Sequence, residues 1–383
     1  MSKYPLFKLN DLASEWCKGQ PFKKTDIAEH GQTPCIHYGE LFTKYGVVIN
    51  QCLSKTDVQG KRLSVSGDIL FPASDVTPSG LARCSALMQD NVILGGDIII
   101  MRPRHGNDPR YLSYAINYQK EQILQRVTGA LIKHLSGNSL KSVIIPVPPL
   151  VDQVNLVSKL EKISALITFR KLQLEKIDQL ASSRFIEMFG DVGSSHFPIV
   201  ALEDLFKVGS SKRILQSEQV KYGVPFLRIS DLIKKIDDCF EAASLFISDQ
   251  KFLMLKQNGD VPAPGDILIT SRGTLGRCYI VKQEDRFYFQ DGMISWLSPK
   301  DSSISNIYLV SLFKQIGVKK QISKMLAGST VDYLSIAMLK KLQVVLPPLE
   351  LQNEFAAFVE QLDKSKVICN KMHKMVEFSL FRV

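Results

Sequence analysis

Val147-Pro148-Pro149-Leu150-Val151-Asp152-Gln153 decides how this chain is read, because it returns 199 residues later as Leu346-Pro347-Pro348-Leu349-Glu350-Leu351-Gln352. Proline has no amide hydrogen and restricts the residue before it, so each double proline closes one segment and launches a helix. Working outward from this pair, other landmarks return in the same order. Tyr4-Pro5-Leu6 with Leu9-Asn10-Asp11-Leu12 becomes Phe197-Pro198-Ile199 with Leu202-Glu203-Asp204-Leu205. Thr33-Pro34 with Glu40-Leu41 becomes Val224-Pro225 with Asp231-Leu232. Gly67-Asp68-Ile69-Leu70 is repeated as Gly265-Asp266-Ile267-Leu268, Arg83-Cys84 as Arg277-Cys278, and Tyr111-Leu112 as Tyr308-Leu309. Offsets that drift only between 191 and 199 residues mark a duplicated domain, not a solenoid.

Each copy follows one coarse plan. Short runs of Val, Ile, Leu and Phe between Gly, Pro, Asn, Asp and Ser read as strands: 68–71, 92–101, 225–229, 266–270 and 293–297. A helical patch follows (109–125 and 304–325), then a strand ending at the double proline. Beyond the first double proline, Leu156, Leu160, Ile163 and Ile167, then Leu174, Ile177 and Ala181, recur at spacings of four and three, with Arg170 interrupting. That is a heptad seam. It runs to about Phe189 and stops at Gly190-Asp191-Val192-Gly193-Ser194-Ser195; some 38 residues of helix reach roughly 57 Å. Beyond the second double proline come Leu351, Phe355, Phe358, Leu362, Met372 and Val376, with Ser365 and Cys369 as weaker positions. Two readings stand: helices that each lie on their own domain's core, or an antiparallel pair holding two domains at a fixed distance. A helix this long is marginal in water without a partner, which favours the pair.

Composition bounds the function. The chain has 383 residues, 48 Lys and Arg against 38 Asp and Glu, a formal charge of +10, and 45% hydrophobic residues. Such a chain builds real cores in two or more domains, and its positive surplus suits a polyanion such as nucleic acid. Seven scattered cysteines contain no C-x-x-C pair, so neither a disulfide framework nor a zinc ribbon is indicated. Met1-Ser2-Lys3-Tyr4-Pro5 lacks the apolar core of a signal peptide, and runs such as Val143-Ile144-Ile145 are far too short to span a bilayer. The expectation is a soluble, cytoplasmic protein.

Catalytic patterns are missing. The six histidines show no H-E-x-x-H spacing, and there is no Walker phosphate loop, G-x-S-x-G elbow or kinase signature. Asp108-Pro109-Arg110-Tyr111 only faintly resembles the D-P-P-Y motif of adenine methyltransferases, lacking the second proline and a preceding Gly-rich loop. Asp68 and Asp266 invite a metal-dependent nuclease reading, but no E-x-K partner follows in both copies. We therefore expect no metal, no cofactor and no catalytic residue in this chain.

The candidate reading surface is a set of loops combining small residues with basic and amide side chains. In the second copy these supply Ser211, Lys212, Arg213, Arg228, Ser230, Arg272, Thr274, Gln290, Ser329, Thr330 and Tyr333. In the first copy the matching regions supply Lys23, Lys24, His37, Ser74, Lys133 and His134. Small residues let backbone approach phosphates, Lys and Arg neutralise them, and Arg or Gln can read base edges. The framework matches between copies while the loops differ in chemistry, as two readers of different sequences require.

In this combination the chain resembles the specificity (S) subunits of type I restriction-modification systems. The resemblance rests on the duplicated domain, each copy ending in Pro-Pro-Leu-x-x-Gln with a heptad helix after it, and covers nearly the whole chain. Ser183-Arg184-Phe185-Ile186-Glu187-Met188-Phe189-Gly190-Asp191, Ser271-Arg272-Gly273-Thr274-Leu275-Gly276 and Ala327-Gly328-Ser329-Thr330 add to it. It implies an α+β chain with two homologous mixed α/β target recognition domains, over 1–149 and 193–348. Two long helices, over 150–192 with its linker and over 349–383, would separate them as an antiparallel coiled coil with pseudo-two-fold symmetry. It further implies a non-catalytic subunit whose domains each read half of a bipartite site in double-stranded DNA. Two adenine-methyltransferase (M) subunits and, for cleavage, motor-nuclease (R) subunits would be its partners, and S-adenosylmethionine, ATP and magnesium would belong to those. Phe71-Pro72-Ala73-Ser74-Asp75 departs from the pattern where Ser-Arg-Gly-Thr is usual, so the loop over residues 71–80 is not assigned by the resemblance. The alternatives are a stand-alone DNA-binding nuclease, a fused restriction-methylase fragment, or a protein-binding scaffold.

Overall fold

The continuous apolar runs become strands buried on both faces. In the first unit, Met1–Ile167 with Val376–Val383, five strands lie in the order Ala13–Lys18, Ile98–Pro103, Asp68–Pro72, Ser85–Leu87 and Val48–Ile49. Successive side chains of a strand point to opposite faces, and here each face has its own core. Ile69, Phe71, Ile99 and Met101 pack with Leu112, Ile116 and Leu140, whereas Leu70, Ile98 and Ile100 pack with Ile36, Leu41 and Leu87. A three-stranded sheet (Ser54–Thr56, Thr33–Ile36, Ile93–Leu94) and two strand pairs complete the unit. The computed structural model describes residues 3–327 and 332–380, and in the last helix side chains only as far as Lys366. Ser329 and Thr330, and the side chain of Met372, therefore lie outside the described residues.

The second unit, Thr168–Met375, repeats the plan. Phe206–Gly209, Ile294–Pro299, Ile267–Thr270 and Cys278–Ile280 form one four-stranded sheet. Gln219–Val220, Phe246–Ile247, Val224–Leu227 and Tyr288–Phe289 form another. Ile267, Ile269 and Leu297 face one core, and Leu268 and Ile294 face the other. Two expected elements are interrupted. The run 92–101 breaks at Gly95-Gly96 into Ile93–Leu94 and Ile98–Pro103, and the helical patches are each two helices, Pro109–Tyr118 with Lys120–Leu124 and Asn306–Phe313 with Ile316–Leu326.

The repeated Pro-Pro-Leu-x-x-Gln element is a buried tie. Gln153 is 1% exposed; its Oε1 accepts the Asp108 amide at 2.8 Å, and its Nε2 donates to Asn107 Oδ1 and Pro148 O. Gln352, 0% exposed, accepts the Ser305 amide at 2.8 Å and donates to Ser303 O and Pro347 O. Each glutamine thus pins the start of a long helix to the residue that caps another, since Asp108 and Ser305 are the N-caps of Pro109–Tyr118 and Asn306–Phe313. Tyr111 and Tyr308 brace the same joint by donating to Pro146 O and Val345 O.

The long helices are Leu150–Phe189 and Leu349–Leu380. Along the first, Leu156, Leu160, Ile163, Ile167, Leu174, Ile177 and Ala181 are all partly buried. Arg170 keeps the series too, its guanidinium donating to Gln173 at 2.6 Å. Within the second unit the two helices run antiparallel. Phe185 and Phe189 meet Phe355 with ring centroids 5.3 and 5.6 Å apart, and Arg184 pairs with Glu354. Further along, Lys366 pairs with Asp178 at 2.7 Å. Phe355, Phe358 and Leu362 carry this face of the last helix, with Phe355 fully buried and the other two partly so. Among the described residues no helix is long and apolar enough to cross a membrane.

Candidate nucleic-acid interface

The ends of the strands gather the candidate residues at one edge of each unit, on a frame of backbone hydrogen bonds that is the same in both copies. In the first unit, Gly95 N donates to Ile36 O at 2.9 Å, Ala73 N to Asp97 O at 2.8 Å, and Leu135 N to Ala73 O at 2.9 Å. In the second, Gln290 N donates to Leu227 O at 2.9 Å, Ser271 N to Met293 O at 2.9 Å, and Leu334 N to Ser271 O at 3.0 Å. These bonds tie together the loops after four strands, so residues scattered over more than a hundred positions share one edge.

Two positions on that frame show how fixed backbone carries different chemistry. At the first, a buried carboxylate in the first turn of a helix accepts the amide three residues before it. Glu40 takes His37 N at 2.9 Å, and Asp231 takes Arg228 N at 3.0 Å. The displayed side chain is His37 in one copy, its ring 4.5 Å from that of Tyr38 and 6.5 Å from that of Phe22, and Arg228 in the other. Arg228 also donates to Ser244 Oγ at 2.8 Å. Burial works to raise the Glu40 carboxyl, but hydrogen bonds from Lys44, Ser54 and the His37 amide outweigh it and hold the group below its ordinary value.

At the second position a short bridge joins the residue after a strand to a residue upstream of the double proline. Ser74 pairs with His134 and Asp75 with Lys133 in the first unit; Arg272 pairs with Tyr333 in the second. Ser74 and His134 occupy the places that Arg272 and Tyr333 hold. Ser74 gives its hydroxyl to Asp97 at 3.0 Å, and Lys133 Nζ is held by the carbonyls of Gly129 and Ala130. His134 is exposed and lines a cavity of about 310 Å³ with Lys18, Asp97, Arg126 and Ser136. In the second unit Gly273 and Asp332 line a cavity of about 480 Å³ with Lys319 and Ser323.

The remaining candidates separate by environment. Lys23 and Lys24 are exposed around the short turn Lys24–Asp26, next to Phe22. Lys212, Arg213, Ser230 and Thr274 are exposed, and Gln290 is half-buried. Ser211 is 8% exposed and gives its hydroxyl to Phe289 O at 2.7 Å, so it holds the loop in place while Lys212 and Arg213 are displayed. The acids considered as metal ligands are committed inward. Asp68 accepts Arg102 Nε and Nη2 at 2.8 and 2.9 Å and the Val65 amide. Asp266 accepts Trp296 Nε1 and the Ala263 amide. Among the described residues no group of three or more His, Cys, Asp or Glu could hold a metal ion. Lys18, Arg126 and Lys319 are edge cations that sequence reasoning missed. Lys18 was legible, since it ends a strand just where the other copy carries Gly209-Ser210; Arg126 and Lys319 lie on or beside helices and give no such signal.

Comparison with known proteins places these observations. A family model described as "Type I restriction modification DNA specificity domain" matches twice, over residues 1–179 and 195–377. A curated type I restriction enzyme specificity subunit of Haemophilus influenzae is 30% identical over 248 residues, 62% of this chain and 60% of that protein. The EcoBI specificity subunit of Escherichia coli is 25% identical over 306 residues, 72% of this chain and 62% of its own length. The matches thus span somewhat less than two thirds of these two relatives. The crystal structure of the S subunit of a type I restriction-modification system from M. genitalium aligns over 99% of this chain and 95% of that one, with 16% identity and a TM-score of 0.55. A chain from a structural study of type I system assembly and conformational transition aligns over 100% and 96%, with 17% identity and a TM-score of 0.52. Both share the fold.

Proposed function

This chain belongs to the type I restriction-modification DNA specificity family, and from that membership we propose that it is the non-catalytic subunit that reads DNA sequence for a methyltransferase complex. The observation that carries the reading is the duplicated frame: two copies hold the same hydrogen bonds at one edge but display different side chains there. Phosphate contacts position a protein on DNA, and base contacts specify sequence. Lys23, Lys24, Lys212 and Arg213 suit the first task, and His37, His134, Arg228, Arg272 and Gln290 the second.

In this account residues 1–149 read one half of a bipartite site and residues 193–348 the other. The helices over 150–192 and 349–383 set the distance between halves, and half-site centres lie about one helical turn, roughly 34 Å, apart. Two adenine-methyltransferase subunits dock on the chain, motor-nuclease subunits join for cleavage, and the chain itself needs no cofactor. The antiparallel run of the two helices in the second unit supports the spacer role.

The test is replacement of residues 1–149 by the equivalent segment of a relative, read by mapping methylated adenines in cells carrying the chimera. One half of the split motif should change and the other stay as it was. A change in both halves would remove the model of independent readers.

A further inference from the structure

We propose that Arg272, held by Tyr333, is the guanine-reading residue of the second domain; the proposal rests on the DNA-recognition reading above. Arg272 is distinguished by what it is not bound to. Other arginines of this unit pair closely with acids, Arg277 with Asp237, Arg286 with Asp249 and Arg184 with Glu187 and Glu354, while Arg228 lies more loosely, 3.6 Å from Asp231. Arg272 has no carboxylate partner among the described residues and is exposed. Its guanidinium instead lies over the Tyr333 ring, 5.4 Å from the centroid. A cation–π contact of this kind is electrostatic and consumes no hydrogen-bond acceptor, so the five donors of the guanidinium fork remain available. Two of those donors match the O6 and N7 acceptors of guanine in the major groove.

The backbone beneath Arg272 is already ordered. The bridge to Tyr333, the Ser271 amide on Met293 O and the Leu334 amide on Ser271 O anchor it from both sides. Ser271 is buried and shares a hydrogen bond with Ser295 Oγ at 2.7 Å. The loop then turns through Gly273 at φ +66°, where an added Cβ would meet nothing within 4 Å. Conformation asks for glycine there, and the space beside Arg272 is open. A side chain ordered before binding loses less freedom on contact, which sharpens discrimination. Among the described residues Arg213 also pairs with no acid, but no ring or strand bridge there holds it as Tyr333 holds Arg272. In the first domain the same frame carries Ser74 and His134, and the Ser74 hydroxyl is turned to Asp97. That position has no fork for guanine, so the two half-sites differ there.

The test uses the complete complex and duplexes carrying the split motif mapped from cellular adenine methylation. Each guanine is replaced in turn by adenine or by 7-deazaguanine, which lacks the N7 acceptor. Arg272→Lys keeps the charge and loses the fork. It should still bind DNA but lose about 10- to 100-fold of discrimination at one guanine of the second half-site, with the first half unaffected. 7-Deazaguanine at that base should weaken the wild type and leave Arg272→Lys indifferent. Tyr333→Phe should keep the discrimination and Tyr333→Leu should reduce it, as expected of a positioning residue. Equal loss of affinity for every sequence, unchanged discrimination in Arg272→Lys, or a second half-site without a guanine dependence would overturn the assignment. A wild-type complex with no preference for a split site would instead bring down the DNA-recognition reading itself.

Discussion

Replacing Gln352 by methionine isolates the tie on which both copies are built. Methionine nearly matches glutamine in length and volume, so the substitution removes hydrogen bonds while leaving little cavity. Three bonds go: the Ser305 amide at 2.8 Å, and those to Ser303 O and Pro347 O at 3.1 and 2.8 Å, around a side chain that is 0% exposed. Leaving one amide unsatisfied in such a place costs about 1–3 kcal/mol, and the two carbonyls bring the total to about 3 kcal/mol. For a unit of this size that lowers the melting temperature by about 6–12 °C. Thermal melts of the full chain followed by circular dichroism measure it, with the exposed Gln257→Met as the control. Gln352→Glu should fare no better, because the acid keeps an acceptor for Ser305 but faces two carbonyls with no donor. A Gln352→Met melt within about 2 °C of the wild type would refute the tie.

Asp68→Asn breaks the bidentate pair with Arg102 and should destabilise the first unit by about 3 kcal/mol in urea unfolding, with DNA preference kept; loss of an intrinsic DNA-cleaving activity would instead revive the nuclease reading. Phe185→Ala removes a fully buried ring packed on Phe189, Tyr308 and Phe355 and should cost about 3–5 kcal/mol, read from the same unfolding curves. Glu40 carries the pH signature. Its carboxyl is depressed in the fold, so its contribution is complete above the ordinary carboxylate range and is lost as pH falls through the lower folded value. Glu40→Gln should therefore be less stable than wild type at pH 7, and the gap should narrow as the pH falls below about 4; a gap of constant size across that window would contradict the cause given.

Much of the fold was legible because the chain states it twice. Gln153 and Gln352 stood out by repetition alone, though their purpose, joining helix start to helix cap, depends on Asp108 and Ser305, which no spacing rule connects to them. The heptad seam was readable from Leu156 to Ile177, but the apparent break at Arg170 was not a break. A long side chain can sit half-buried in a seam position while its head finds a polar partner, and Arg170 is partly buried with its guanidinium donating to Gln173. Gly95-Gly96 divided an apolar run that composition read as one strand. The site was less legible. Ser211 looks like a phosphate-binding serine in sequence but is spent on Phe289 O, whereas Arg277 meets Asp237 and Arg272 meets no acid among the described residues. Those distinctions come from partners distant in sequence, and composition carries no record of them.

A map of methylated adenines across the genome of the source cell, with and without this gene, tests the account most directly. Deleting the gene should abolish methylation at one split motif carrying modified adenines in both halves, and restoring the gene should restore it. A map that is the same with and without the gene, in cells where the complex is made, would contradict it.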